Sequence, residues 1–104
     1  MGRVGEKGRG MTHGLSAARW FISGRVQGVG FRWFVSHRAG ELGIGGWARN
    51  LPDGRVEVFG EGARENLDSL DRLLKKGPKF ALVENVEKCD CPHELGGFKS
   101  FDIR

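Results

Sequence analysis

No stretch of this 104-residue sequence approaches the roughly 18 consecutive apolar residues of a membrane-spanning helix. The first twenty residues lack the apolar segment of a secretory leader, and no Asn-x-Ser/Thr acceptor occurs. These absences lead to the expectation of a cytoplasmic chain with no membrane partner. Blocks of five or more like charges are also missing, which excludes a polyionic tail. Cysteine is scarce. Cys89 and Cys91 stand one residue apart in Cys-Asp-Cys-Pro-His. A disulfide across that gap would be strained, and the usual zinc spacings are absent. A metal reading would recruit His93 and still need another ligand, so the pair is read as two plain thiols near a strand end.

What is present describes an ordinary globular domain. With 38% hydrophobic and 29% charged residues, the chain is neither disordered nor membranous in composition. Its length leaves room for one core and no second domain. The 17 basic residues exceed the 13 acidic ones, a formal charge of +4 that tolerates anionic partners without specifying one.

Residues 1–18 mix Gly2, Gly5, Gly8, Gly10 and Gly14 with Arg3, Lys7 and Arg9 and show no hydrophobic period, so they are expected to form a flexible tail. The folded domain is expected over 19–104. Trp20, Ile22, Gly24 and Val26 alternate with Phe21, Ser23 and Arg25, a strand pattern. Phe31, Phe34, Val35, Ala39 and Leu42 recur at helical spacing, and the glycines from Gly43 to Gly46 end that helix. Gly46 to Asn50 is strand-like. Leu51-Pro52-Asp53-Gly54 then makes a turn into Val56 and Val58. Ala63, Leu67, Leu70 and Leu74 form the stripe of a second helix, closed by Lys75, Lys76 and Gly77-Pro78. Ala81 to Lys88 reads as a strand and Phe98 to Ile103 as a last one. The order β-α-β-β-α-β plus a short closing strand predicts an α+β, ferredoxin-like sandwich, with two helices on one face of an antiparallel sheet.

Chemistry concentrates in Gly24-Arg25-Val26-Gln27-Gly28-Val29-Gly30-Phe31-Arg32, which spans a strand end, a loop and a helix start. The first amides of a helix lack intrahelical acceptors and carry partial positive charge. A loop with glycines can turn further N–H groups to the same point, which makes a phosphate nest. Arg32 can reach back to that anion with a fork of donors. The segment is neither a Walker loop nor a dinucleotide fingerprint, because no Gly-Lys-Ser/Thr and no third spaced glycine follow.

This run resembles the acylphosphatase signature almost residue for residue. Gly46-Trp47-Ala48-Arg49-Asn50-Leu51-Pro52-Asp53-Gly54-Arg55-Val56-Glu57-Val58 is similar to the family's second signature. Gly77-Pro78, Ala81-x-Val83 and Phe101-Asp102-Ile103-Arg104 also match. The resemblance covers about residues 19–104. It implies catalytic roles for Arg32 and Asn50, and phosphate binding by Gly24, Arg25, Val26, Gln27, Gly28, Val29, Gly30, Phe31 and Arg32. It implies hydrolysis of a small acyl phosphate to a carboxylate and inorganic phosphate, without cofactor or metal; a monomer is expected. By the residues alone, Asn50 also reads as a turn residue and Arg25 as a solvated strand residue. His13, His37 and His93 are scattered, and Trp20, Phe31 and Trp47 are taken as core or pocket walls.

Two rival readings remain. A ferredoxin-like sheet also serves RNA-recognition motifs, and Gly28-Val29-Gly30-Phe31-Arg32-Trp33-Phe34-Val35 is superficially similar to their Gly-Phe-rich motif. Here that motif enters the first helix, while RNA-stacking aromatics belong on the third strand. No nucleic-acid partner is therefore expected. The other rival is a non-catalytic acylphosphatase-like domain, such as that of hydrogenase-maturation carbamoyltransferases. Intact Arg32 and Asn50 speak for activity.

Overall fold

A computed structural model describes residues 15–104. Strand β1 (Leu15–Arg25) leads into helix α1 (Phe31–Glu41), then β2 (Gly45–Asn50), β3 (Val56–Ala63), helix α2 (Arg64–Lys76), β4 (Leu82–Asp90) and the short β5 (Phe101–Ile103). The sheet order is β4-β1-β3-β2-β5. The first four strands in that order pair antiparallel, and β5 runs parallel to β2. The sheet is thus mixed, where an antiparallel one was expected.

Two boundaries moved. β1 begins at Leu15, so residues 15–18 belong to the sheet rather than to a tail. Leu15 pairs with Ala63 and Ala18 with Gly60, and Ala17 and Ala18 are buried. The expected tail over residues 1–14 lies outside the described residues. The closing strand is also shorter than expected, covering 101–103. Gly97 takes φ 70°, and the Phe98 amide donates to the Glu61 carboxylate at 2.8 Å instead of pairing in the sheet.

The core lies between the sheet and the helices. Trp20 and Ile22 from β1, Val56 and Val58 from β3, Phe31, Val35 and Ala39 from α1, and Leu67, Leu70 and Leu74 from α2 are all buried there. These residues sit at period two on the strands and at i, i+4 or i, i+3 on the helices, so each element turns one apolar face inward. The indole N–H of Trp20 donates to Asp71 of α2 at 2.9 Å, which satisfies the polar group of the largest buried side chain.

Gly24 has a specific reason to be glycine. The β1–β4 register shifts between Ser23 and Gly24, and Gly24 takes φ 124°. A Cβ there would stand 2.1 Å from the Leu82 carbonyl oxygen. The residue permits a bulge against β4 just before the glycine-bearing loop.

On the helix-free face, buried Glu57 lies between Arg19 and Arg49. Arg19 Nη1 donates to Glu57 Oε2 at 2.6 Å and Arg49 Nε to Oε1 at 2.7 Å. Arg49 and Glu57 are register partners, one step from the pair Asn50 and Val56. Burial pushes the Glu57 carboxyl up, but its hydrogen bonds to Arg49 and Arg19 pull it further down, to below the ordinary glutamate range. A folded-state pKa below the unfolded one gives stability that is present above about pH 4.3 and is lost as pH falls through the folded value. Glu57→Gln is therefore expected to cost about 2 kcal/mol near pH 7, since it takes from Arg49 its paired carboxylate and leaves Arg19 only Glu94, at 3.1 Å. Urea unfolding should show that difference shrinking below about pH 4. A difference constant from pH 7 to pH 3 would remove the ion pair as its cause.

Candidate active site

β1, β2 and β5 all point the same way, because β1 and β2 each run antiparallel to β3 and β5 is parallel to β2. Their C-terminal ends therefore meet at one edge of the sheet, where the chain leaving β1 turns into the N-terminus of α1. Convergence of strand ends and a helix N-terminus places a pocket there of about 170 Å³, lined by Val26, Gly28, Gly30, Phe31, Arg32, Trp33, Asn50 and Ile103.

The loop is built to leave its amides open. Gly28 and Gly30 take φ 74° and 76°, the left-handed region that glycine enters without strain. Gly30 caps α1 with no side-chain hydrogen bond, and no acidic residue occupies the first turn. The partial positive charge of the helix N-terminus is thus not cancelled by a local carboxylate. Gln27 turns away from the pocket. Its amide N–H groups donate to the carbonyls of Leu51 at 2.8 Å and Arg55 at 2.9 Å, which ties the loop to the β2–β3 turn. That turn is closed by Leu51 N to Arg55 O at 2.8 Å and Gly54 N to Leu51 O at 3.1 Å. The segment carrying Asn50 and the segment carrying the glycines are therefore held together as one piece.

Arg32 is the only charged side chain lining the pocket among the described residues. Its Nη1 donates to the main-chain oxygen of Arg104 at 2.9 Å, and the Arg104 amide donates to Ala48 at 2.8 Å. The last residue of the sequence is thus fixed to β2 and in turn orients the guanidinium. Among the described residues, no carboxylate, histidine or lysine side chain shares the lining. The arrangement supplies positive charge, N–H donors and one carboxamide, and no strong base. It suits an anion whose chemistry needs positioning and electrostatic stabilisation more than proton transfer.

Of the residues named from sequence, Val26, Gly28, Gly30, Phe31, Arg32 and Asn50 line the pocket. Gly24, Arg25, Gln27 and Val29 do not. Gly24 serves the bulge, Gln27 is the tie to the turn, Val29 packs on the core, and Arg25 is exposed at the end of β1. Trp33 and Ile103 line the pocket without having been named. Trp33 follows Arg32 in the first helical turn, a position from which a side chain leans back toward the loop. Ile103 arrives only through the parallel β5–β2 pairing, which no local pattern announces.

A larger cavity of about 610 Å³ opens at the other end of α1, lined by Gly40, Ile44, Phe98 and Phe101 among others. Among the described residues its charged lining is Lys99 and Glu61, and the Glu61 carboxylate already accepts the amides of Gly96 at 2.6 Å and Phe98 at 2.8 Å. Size alone does not make it the site of phosphate chemistry.

A family model described as acylphosphatase matches residues 18–103. The chain belongs to the acylphosphatase family. An acylphosphatase of Koribacter versatilis is 52% identical over 93 residues, which are 89% of this chain and 84% of that protein. The crystal structure of an acylphosphatase from Bacillus subtilis superposes with a TM-score of 0.82 at 37% identity, covering 86% of this chain and 98% of that one. An acylphosphatase structure from Coxiella burnetii gives 0.84 at 33% identity, over 90% and 97% of the two chains. The α+β sandwich and the family resemblance expected from sequence are thereby established.

Proposed function

We propose that this acylphosphatase binds the phosphoryl group of an acyl phosphate in the pocket at the α1 N-terminus, with Arg32 and Asn50 as its catalytic residues. The observation that carries the reading is the convergence of Arg32, Asn50 and the glycines of the loop on one pocket whose only charged side chain, among the described residues, is Arg32. Loop amides and the guanidinium hold the phosphoryl oxygens. The Asn50 carboxamide offers both a donor and an acceptor, and orients a water toward phosphorus. Water oxygen bonds to phosphorus as the bond from phosphorus to the acyl oxygen breaks. The carboxylate leaves with that electron pair, and a phosphoryl oxygen takes the proton of the water. The products are a carboxylate and inorganic phosphate. A carboxylate is a good leaving group, so the absence of an acid or base from the lining suits this chemistry.

We take the chain as a cytoplasmic monomer acting on small molecules. On the helix-free sheet face, where nucleic-acid bases would stack, guanidiniums cover the rings. Arg19, Arg49 and Arg104 lie 5.6, 5.3 and 5.1 Å from the Trp47 ring centre, and Arg55 lies 4.9 Å from that of Phe21. Phe59 on the third strand is only 4% exposed. Among the described residues, this covering of the rings supports the reading without a nucleic-acid partner.

Titration with inorganic phosphate tests the site directly. The largest backbone amide shift changes are expected between residues 26 and 33, with a rise in Tm that grows with phosphate concentration through linkage. Shifts clustered around the larger cavity instead would move the anion site away from the loop.

A further inference from the structure

Part of the pocket lining is apolar and more exposed than the core requires. Trp33 is 65% exposed, the second most exposed large hydrophobic residue after Phe80 among the described residues, and Ile103 is 47% exposed. Both line the pocket that holds Arg32 and Asn50. Trp33 is also held in place. His37, one turn later on α1, stacks on its ring with centres 5.0 Å apart and planes 9° from parallel. The imidazole Nε2 of His37 lies 3.6 Å from Glu41 Oε2, and Arg38 Nη1 donates to Glu41 Oε1 at 2.9 Å. A ladder of side chains thus runs along the exposed face of α1 and ends in an indole at the pocket mouth. Helical side chains lean toward the N-terminus, so His37 leans onto Trp33 and Trp33 leans toward the loop.

From this arrangement we infer that Trp33 and Ile103 form the acyl-side wall of the site and set its substrate preference toward aryl and other bulky apolar acyl phosphates. The inference rests on the placement of the phosphoryl group given under the proposed function. With the phosphoryl oxygens on the loop and Arg32, the acyl group has to leave the polar end of the pocket, where the next surface is the indole and the Ile103 side chain. An aryl group covers both and gains contact area and ring stacking. A methyl group reaches little of either. Trp33 is a specificity residue that touches the substrate. His37 is a positioning residue, which acts by holding the indole.

The test is kcat/KM for benzoyl phosphate and for acetyl phosphate, measured on the wild type and on Trp33→Ala, Trp33→Phe, His37→Ala and Arg32→Ala. The wild type is expected to prefer benzoyl phosphate. In Trp33→Ala the benzoyl-to-acetyl ratio should fall about five- to tenfold, mainly through the KM for benzoyl phosphate. Trp33→Phe should restore part of the ratio, and His37→Ala should lower it less than Trp33→Ala does. Trp33→Leu, which keeps an apolar helical residue and removes the ring, gives the same reading should the alanine variant fail to fold. A ratio that stays constant in Trp33→Ala or Trp33→Leu overturns the inference. Failure of the underlying site is distinguishable, because it shows as retained turnover of both substrates in Arg32→Ala.

Discussion

Arg32→Ala is expected to lower kcat/KM for an acyl phosphate by at least about a hundredfold while the domain stays folded. The size of the loss follows from the lining. Phosphoryl transfer puts charge on the three phosphoryl oxygens as the carboxylate departs. Among the described residues only Arg32 brings a full positive charge into the pocket, and the loop amides and helix terminus add partial charges alone. A guanidinium also provides a planar fork, so Arg32→Lys keeps the charge and loses the paired donors, and should recover only part of the activity. Stability is expected to change little. Arg32 lies outside the buried core, and its one side-chain bond, to the Arg104 main-chain oxygen, is exposed. Such a bond is worth at most about 1 kcal/mol, a few degrees of Tm in a domain of this size. The alternative is that Arg32 serves only to clamp β5 against α1. That role predicts the opposite split, with lower Tm and normal turnover. Measuring kcat/KM beside Tm on the same variant decides between them, and near-normal turnover in a folded Arg32→Ala protein would sink the assignment.

The parts of this molecule legible in its sequence are those written in short-range pattern. Leu67, Leu70 and Leu74 announce the buried face of α2, and Trp20 and Ile22 the inward side of the first strand. Leu51-Pro52-Asp53-Gly54 announces the turn that the backbone bonds close. Much of the pocket lining was legible because it falls in two long local motifs, one running from the end of β1 into α1 and the other across the β2–β3 hairpin. What escaped depends on distant partners. Residues 15–18 carry no periodicity of their own, and become strand because Ala63 to Gly60 pair with them across the sheet. Phe98 looks like the start of a strand, yet it leaves the sheet and packs with Ala17, Phe59 and Cys91 in a second cluster on the helix-free face. The motif also overstates the number of residues at the pocket. Gly24 and Gln27 belong to the loop's framework, one through a bulge and the other through hydrogen bonds to the neighbouring turn. Ile103 enters the site by parallel pairing with β2, and sequence neighbours say nothing of that.

Asn50→Ala is expected to lower kcat on the order of a hundredfold while the phosphate Kd stays within about threefold of the wild type. Asn50 is the last residue of β2, and it lines the pocket beside the loop glycines and Arg32, to which the proposed function gives the anion. Its carboxamide is therefore free to act on the attacking water, an interaction that matters in the transition state and little in the phosphate complex. Removing it leaves ground-state binding nearly intact and takes away the direction of attack. Asn50→Asp should fail differently. A carboxylate keeps an acceptor but brings a negative charge toward the phosphoryl oxygens, so phosphate binding should weaken as well as turnover. The competing reading makes Asn50 a turn residue whose loss damages the hairpin. The structure speaks against a large effect of that kind, because the hairpin is held by other bonds. Leu51 N donates to Arg55 O, Gln27 ties both carbonyls to the loop, and Arg49 crosses to Glu57 in the adjoining register pair. None of these uses the Asn50 side chain. The expected signature is a steep fall in kcat, a nearly unchanged phosphate Kd and a Tm within a few degrees of wild type. If Asn50→Ala instead melts well below the wild type and keeps most of its kcat, water orientation by Asn50 is wrong, and the loop and Arg32 must act on the phosphoryl group without it.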